Sequence, residues 1–256
     1  MYYENPDGDM QEVEFLSAKE AKAFIAENGG EYVPTTHVQP LGFAIKNMQT
    51  LLEKIQEATG ATSYEIFLTG KGNFREELVD YYKANRDPTH KPVHYKALKE
   101  WLINRRGAVV VEGYEADDAM AIEQYEALAN GQEYTIIATI DKDLDMVPGW
   151  HYNPGKDTRY FVTEKGGLEF FYGQMLTGDS TDNIPGLFKL TGKKATQKIK
   201  DGLKDKSEIE MWNYIKEQYG PDVPEEKLIE IGRLLWMLRT PTDVWEPPNV
   251  EGVCNE

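Results

Sequence analysis

Two short apolar runs, each followed by a cluster of acids, dominate the middle of the chain. Ala108-Val109-Val110-Val111 leads to Glu115, Asp117 and Asp118. Tyr134-Thr135-Ile136-Ile137-Ala138-Thr139-Ile140 leads to Asp141, Asp143 and Asp145. Unbroken apolar runs of this length are strands buried on both faces, as in parallel sheets. Between them, Glu115 to Asn130 reads as a helix. Tyr64-Glu65-Ile66-Phe67-Leu68 is an earlier strand, followed by helical stretches near 75–86 and 92–106. Strands alternating with helices predict an α/β fold with a mostly parallel sheet flanked by helices. Such sheets bind ligands beyond the carboxyl ends of their strands. The two acidic clusters therefore share one edge and approach each other.

The flanks read differently. Residues 1–15 form a hairpin, with Asn5-Pro6-Asp7-Gly8-Asp9 turning between Tyr2-Tyr3 and Val13-Glu14-Phe15. Ser17 and Glu20 make a capping box for a helix that ends at Gly29-Gly30. Leu41, Ala44, Ile45, Met48, Leu51, Leu52 and Ile55 repeat at helical spacing, so 41–58 is an amphipathic helix. Helices are expected at 168–177, 193–204, 207–218 and 225–239. The tail from Thr240, with Pro241, Pro247 and Pro248, is expected to wrap the surface. The resulting division is an acidic hairpin-helix extension (1–40), an α/β domain (41–177), a helical part (178–240) and a tail (241–256).

Composition narrows the function. The single cysteine, Cys254, excludes a disulfide framework and a cysteine-rich zinc site. No apolar run approaches the roughly 20 residues of a membrane helix, and the first residues lack the pattern of a signal peptide. A soluble, cytoplasmic protein with no membrane partner is expected. A third acid pair, Asp179 and Asp182, lies in Gly178-Asp179-Ser180-Thr181-Asp182-Asn183-Ile184-Pro185-Gly186. Crowded carboxylates repel and need a counter-charge, which hard divalent cations with oxygen ligands supply. Two such ions stabilise the attacking and leaving oxygens of a phosphodiester. His37, His90, His94 and His151 are scattered, which disfavours zinc. Each cluster also has an ordinary reading: acids at a helix N-terminus, a solvated loop, a polar turn. Asp141-Lys142-Asp143-Leu144-Asp145 fails as a calcium loop, because Met146 and Tyr152 stand where Gly and Glu are needed.

The net charge of −16 argues against nucleic acid only as an average. Residues 71–106 hold nine basic side chains against five acids, interleaved with Phe74, Tyr81, Tyr82, Tyr95 and Trp101. Cations mixed with stackable rings suit an unpaired strand; a solvated helix face with core aromatics is the alternative. Residues 187–206 hold seven lysines against two acids, around a turn at Gly192 that could grip a duplex backbone.

Taken together, these residues resemble the 5′→3′ exonuclease and flap endonuclease family. Glu115-Ala116-Asp117-Asp118, Asp141-Lys142-Asp143-Leu144 and the Gly178–Gly186 segment match its acidic motifs in order and approximate spacing. Asn73-Phe74-Arg75-Glu76-Glu77 and Tyr82-Lys83-Ala84-Asn85-Arg86 resemble its F-R-x-E and Y-K-x-x-R segment. Gly186-Leu187 through Ile199 resembles its helix–three-turn–helix motif. The style is closest to phage-type members, over residues 41 to 240.

The resemblance implies a PIN-like α/β fold and hydrolysis at the 5′ ends of DNA flaps, nicked or gapped duplexes and RNA primers on DNA. It implies two Mg²⁺ or Mn²⁺ ions, with Glu115, Asp117 and Asp118 at the first and Asp179 and Asp182 at the second. Asp141 and Asp143 would lie between or near them. Lys83 and Arg86 would be catalytic, steering and polarising the scissile phosphate. Arg75, Tyr82, Lys83 and Arg86, with Lys189, Lys193, Lys194 and Lys198, would bind DNA, and K⁺ would sit at the helix–three-turn–helix. A monomer is expected. Two departures accompany it. The family's first strand and its aspartate have no counterpart, because Asp7-Gly8-Asp9 lies in a hairpin turn. Its second aspartate is absent from Leu68-Thr69-Gly70-Lys71-Gly72-Asn73-Phe74. A truncated gene product, a mis-called start or half of a split nuclease would each explain this. A DNA-junction binding module that no longer cuts is the alternative function, and a PIN-type ribonuclease a third.

Overall fold

The computed structural model describes residues 2–13, 18–33, 38–86, 91–132 and 134–249. The chain divides into two compact units, Met1–Ala44 and Ile45–Glu256. In the smaller, β1 (Tyr2–Glu4) pairs antiparallel with β2 (Met10–Glu12), Glu4 opposite Met10. The Asn5 side-chain oxygen accepts from the amides of Asp7 and Asp9 at 3.1 and 2.7 Å and tightens the turn. Helix α1 (Ala18–Asn28) stops at Gly29. A third strand, β3 (Glu31–Val33), joins the free edge of β1; at three residues it is too short to show periodicity. Glu14, Phe15 and Ser17, on which the second hairpin arm and the capping box rest, lie outside the described residues.

Helix α2 (Leu41–Thr59) has no fully buried residue, despite its apolar stripe. In the larger unit β4 (Phe67–Thr69) pairs in parallel with β5 (Val109–Val111), Leu68 opposite Val110. The connection holds α3 (Phe74–Leu78) and α4 (Tyr95–Arg106). The helix expected over 75–86 ends early, with Val79 extended and Lys83 at φ 54°. The physical reason is tertiary. The Lys83 amide donates to the Asp182 carbonyl at 2.9 Å, and the Asn85 side-chain amide donates to that of Ser180 at 2.8 Å.

Helix α5 (Ala116–Ala129) leads to β6 (Ile136–Ala138), parallel to β7 (Gly149–Asn153). β7 turns into an antiparallel partner, β8 (Thr158–Val162). The α/β alternation is as expected, but the sheet comes in two pieces, β4-β5 and β6-β7-β8. Among the described residues the two pieces share no ladder.

Then come α6 (Glu164–Thr177), α7 (Leu187–Thr191), α8 (Gln197–Asp201), α9 (Glu208–Tyr219) and α10 (Glu225–Leu235). α6 starts earlier than expected because Thr163 caps it, accepting from the Gly166 amide at 3.0 Å. The helix expected at 193–204 contracts, because Gly192 takes φ 75° and Thr196 caps a new start. α10 gives way to extended chain at Trp236. Phe171, Met175, Ile215 and Ile231 are completely buried. The tail does not simply wrap the surface. Trp245 is buried, its ring 5.4 Å from Phe171 and 5.5 Å from Trp212. Among the described residues no helix is long and apolar enough to cross a membrane.

Candidate active site

The acids that follow the strands do converge. Glu115 caps α5 and Asp117 and Asp118 occupy its first turn. Asp141 ends the β6 connection and caps a 3-10 turn, accepting from the Asp143 amide at 3.0 Å. Asp179 and Asp182 arrive on the loop after α6. That loop is closed by mutual hydrogen bonds between the backbones of Asp179 and Ile184, at 3.0 and 2.7 Å. Gly178 and Gly186 make closure possible: a Cβ on Gly186 would meet the Gly178 amide at 2.4 Å. The Asp179 side chain accepts from the amides of Thr181 and Asp182 at 2.6 and 3.2 Å. Glu115, Asp117, Asp141, Asp143, Asp179 and Asp182 line one cleft of about 250 Å³.

Four cations line this cleft: Lys83, Arg86, Lys142 and Arg75, which stands 3.9 Å from Glu115. Lys83 bonds Glu115 and stands 3.5 Å from Asp182, while Arg86 pairs with Asp182. Lys142 lies 2.9 Å from Asp143 and 3.8 Å from Asp179. The Tyr82 hydroxyl sits between two carboxylates, 2.8 Å from Glu115 and 3.0 Å from Asp182. Burial and those carboxylates hold its pKa well above the phenol value, despite Arg75 nearby. Burial, then the charges of Asp141, Glu115 and Asp118, push the Asp117 carboxyl up to about 7. Burial also raises Asp143, against the opposing pull of Lys142.

Two expected site residues do something else. Arg75, expected to touch nucleic acid, is only 2% exposed. Its guanidinium donates to both Asp118 oxygens at 2.6 and 2.8 Å, and to the carbonyls of Leu234 and Trp236 at 2.9 and 2.5 Å. Burial opposes the Arg75 charge, but Asp118 outweighs it and raises the pKa. Asp118 is fully buried and also accepts from the amides of Glu115 and Leu238 at 3.0 and 3.2 Å. Its oxygens are committed to this joint between α3, α5 and the chain after α10, so as placed they are not open to a cation. The pattern of basic and aromatic residues could not distinguish a buried arginine from an exposed one.

The donor chemistry of the cleft fits hard divalent cations: oxygen ligands only, with one carboxyl driven up by burial and by its neighbouring carboxylates. As the side chains stand, no group of three His, Cys, Asp or Glu among the described residues is drawn together tightly enough to hold an ion. Lys83, Arg86 and Lys142, with Arg75 behind Glu115, supply the positive charge instead. Sequence reasoning named Lys142 without a role, although its place between Asp141 and Asp143 was the signal. It passed over Gln174, whose amide donates to Asp143 at 2.5 Å. Thr69 and Thr181, which line the cleft, were likewise named without a role. Asp145 turns away, accepting from the Tyr160 hydroxyl at 2.6 Å. Lys189, Lys193, Lys194 and Lys198 are exposed on α7, its connector and α8, outside the cleft.

Residues 21–148 match the family model of the 5′-3′ exonuclease N-terminal resolvase-like domain. The chain belongs to the 5′→3′ exonuclease family, a family of nucleases. It is similar to the thermostable DNA polymerase I of Thermus thermophilus, at 30% identity over 192 residues, 70% of this chain and 22% of that protein. It is also similar to the exodeoxyribonuclease of Enterobacteria phage T3, 31% identical over 46% of this chain and 41% of the relative. Flap endonuclease Xni of Cronobacter sakazakii is 33% identical over 50% of this chain and 55% of its own. The chain thus spans about a fifth of the polymerase and about half of the shorter relatives. Among solved structures, a bacteriophage T5 flap endonuclease in a pseudo-enzyme-product complex with DNA and metal ions aligns with TM-score 0.54 and 18% identity. That alignment covers 75% of this chain and 80% of that one. The likeness identifies the fold as PIN-like α/β.

Proposed function

We propose that the chain is a divalent-metal-dependent 5′ nuclease that hydrolyses phosphodiesters at the 5′ ends of DNA flaps, nicks or RNA primers, in phage-type replication. The observation that carries this reading is the meeting of six carboxylates from α5, the 3-10 turn after β6 and the loop after α6 in one cleft, with Lys83 and Arg86 at its wall. Glu115, Asp117, Asp141, Asp143, Asp179 and Asp182 would hold Mg²⁺ or Mn²⁺. When bound, such ions supply the Lewis acidity that polarises a phosphodiester and generates a nucleophile near neutral pH. Lys83 and Arg86, released from Glu115 and Asp182, would orient the scissile phosphate by charge-assisted hydrogen bonds. Gln174 and Lys142 would fix Asp143. The lysines of α7, its connector and α8 would hold duplex backbone, in a helix–three-turn–helix arrangement with K⁺ at its turn.

The test is cleavage of a 5′-labelled flap duplex in Mg²⁺ or Mn²⁺. Turnover that disappears in Asp141→Ala supports the reading; turnover unchanged by that substitution sinks it. One observation favours a second reading, a junction-binding module that no longer cuts: Lys83, Arg86 and Lys142 already pair with Glu115, Asp182 and Asp143. Salt-sensitive flap binding, independent of Mg²⁺ and without turnover, would select it.

A further inference from the structure

We infer that Asn183 is a positioning residue that couples duplex held at Lys189 to the segment carrying Lys83 and Arg86. This rests on the proposed reading that the lysines of α7 hold duplex backbone, and names the connection from that grip to the cleft. Residues 81–85 lie in turns, and Lys83 sits in the left-handed region at φ 54°. A lysine keeps that conformation where its surroundings impose it. Here the surroundings are the loop of Asp179 and Asp182. The Lys83 amide donates to the Asp182 carbonyl at 2.9 Å. The Asn85 side-chain amide donates to the Ser180 carbonyl at 2.8 Å. A further bond runs the other way: Asn183 Nδ2 donates to the Tyr81 carbonyl at 2.8 Å. That carbonyl also accepts from the Ala84 amide at 3.2 Å, so Asn183 grips the turn on which Lys83 sits.

The same carboxamide faces a cation outside the cleft. Its Oδ1 accepts from Lys189 Nζ at 3.2 Å, and Lys189 is exposed on α7. These two partners fix which way the carboxamide points: turned round, it would set donor against donor and acceptor against acceptor. An ammonium has three N–H donors, so Lys189 can keep Asn183 and still hold a phosphate oxygen. Hydrogen bonds in a chain polarise one another. The ammonium on Oδ1 draws electron density from Nδ2 and makes its N–H a stronger donor to Tyr81. Fixing Lys189 on a phosphate therefore tightens the Tyr81 turn, and with it Lys83 and Arg86. An aspartate would bind Lys189 but present an oxygen to the Tyr81 carbonyl. The Asn183 backbone is fixed as well. It stands at φ 59°, which asparagine tolerates better than most side chains. The next residue, Ile184, closes the loop by donating to the Asp179 carbonyl at 2.7 Å. A single strand without a duplex arm would leave Lys189 unfixed, so the coupling favours substrates with duplex beside the 5′ end.

Amide hydrogen exchange on the whole chain in metal-free buffer tests this, with a blunt DNA duplex as the probe and one of its single strands as the control. Asn183→Gly keeps the left-handed backbone and removes the carboxamide; Asn183→Asp keeps the Lys189 contact and loses the donor to Tyr81. The expected result is that saturating duplex slows the Lys83 and Ala84 amides about tenfold in the wild type, and the single strand does not. Both Asn183 variants, and Lys189→Met, should lose that slowing while saturated with duplex. A merely structural Asn183 would raise exchange without DNA and leave the slowing by duplex intact. The coupling is overturned by slowing retained in the variants, by no slowing in the wild type on bound duplex, or by equal slowing with the single strand. If Asn183→Gly does not fold, Asn183→Asp and Lys189→Met decide. A chain that binds no duplex overturns the coupling together with the lysine grip. Absence of flap cleavage in Mg²⁺ would instead sink the nuclease reading and leave the exchange result standing, since exchange is measured without turnover.

Discussion

The two sides of the cleft are supported differently. Asp143 and the Asp179–Asp182 loop rest on α6, α9 and α10, where Phe171, Met175, Ile215 and Ile231 are completely buried. The β4 side rests on three-residue strands, β4 and β5. Fixed acids on the packed side and a thinly supported strand edge on the other imply that precision is concentrated where Asp143, Asp179 and Asp182 are held. The Arg75–Asp118 joint is the exception, because it fastens α3 on the thin side to the chain after α10.

That joint gives the largest expected effect. Arg75→Ala leaves Asp118 buried without its partner, which should cost about 3–5 kcal/mol in chemical denaturation. A loss below about 1 kcal/mol would show that the two sides are not joined there. If Arg75 instead served DNA directly, the substitution would weaken flap binding without destabilising the fold.

A second comparison sets Met175 against Leu51. Met175→Ala empties a fully buried site and should cost about 2–5 kcal/mol. Leu51 is 39% exposed, and Leu51→Ala should cost less than about 1 kcal/mol. Comparable losses at both would mean that α2 is as well packed in solution as α6.

A third, smaller effect concerns charge within the cleft. The Asp117 carboxyl is raised from 3.8 to about 7, so between those values the folded chain holds a proton that the unfolded chain has released. The stability linked to that proton is full below pH 4 and lost as pH rises through 7. The metal-free protein should therefore be less stable at pH 8 than Asp117→Asn by on the order of 1 kcal/mol, and the difference should vanish near pH 4. Thermal melts across that range measure it. Mg²⁺ added at pH 8 should narrow the gap by neutralising the cleft. A gap that does not change with pH would rule out a raised Asp117.

Much of this was legible in the chain itself. Apolar runs at 108–111 and 134–140 fixed where strands end, and strand ends fix where acids meet. That logic brought Glu115, Asp117, Asp141 and Asp143 together without any contact being known. What it missed depends on partners distant in sequence. Arg75 is buried by Asp118, Leu234 and Trp236, and no local pattern announces a bond across 159 residues. The helix after Asn73 stops because Lys83 bonds Asp182, again a tertiary choice. The β7–β8 hairpin was missed although its signal is local: Trp150 and Tyr152 alternate before Asn153-Pro154-Gly155, with Tyr160 beyond. Trp245, in a proline-rich tail, was a signal too, since a lone large aromatic there points to an anchor.

The smallest effect separates the cleft from the lysines outside it. Lys193 and Lys194 are exposed on the α7–α8 connector, and the Lys193 ammonium donates to the Gln218 side chain at 2.8 Å. If they grip duplex phosphates, each Lys→Ala should lower the slope of log affinity against log salt by about one. Stability should not change, and the single-turnover rate at saturating flap should stay near wild type, because neither side chain lines the cleft. A changed rate with an unchanged salt slope would move these lysines from backbone grip to chemistry. No change in either would confine DNA contact to the cleft and its rim, leaving Lys83 and Arg86 as the cations that must hold the substrate.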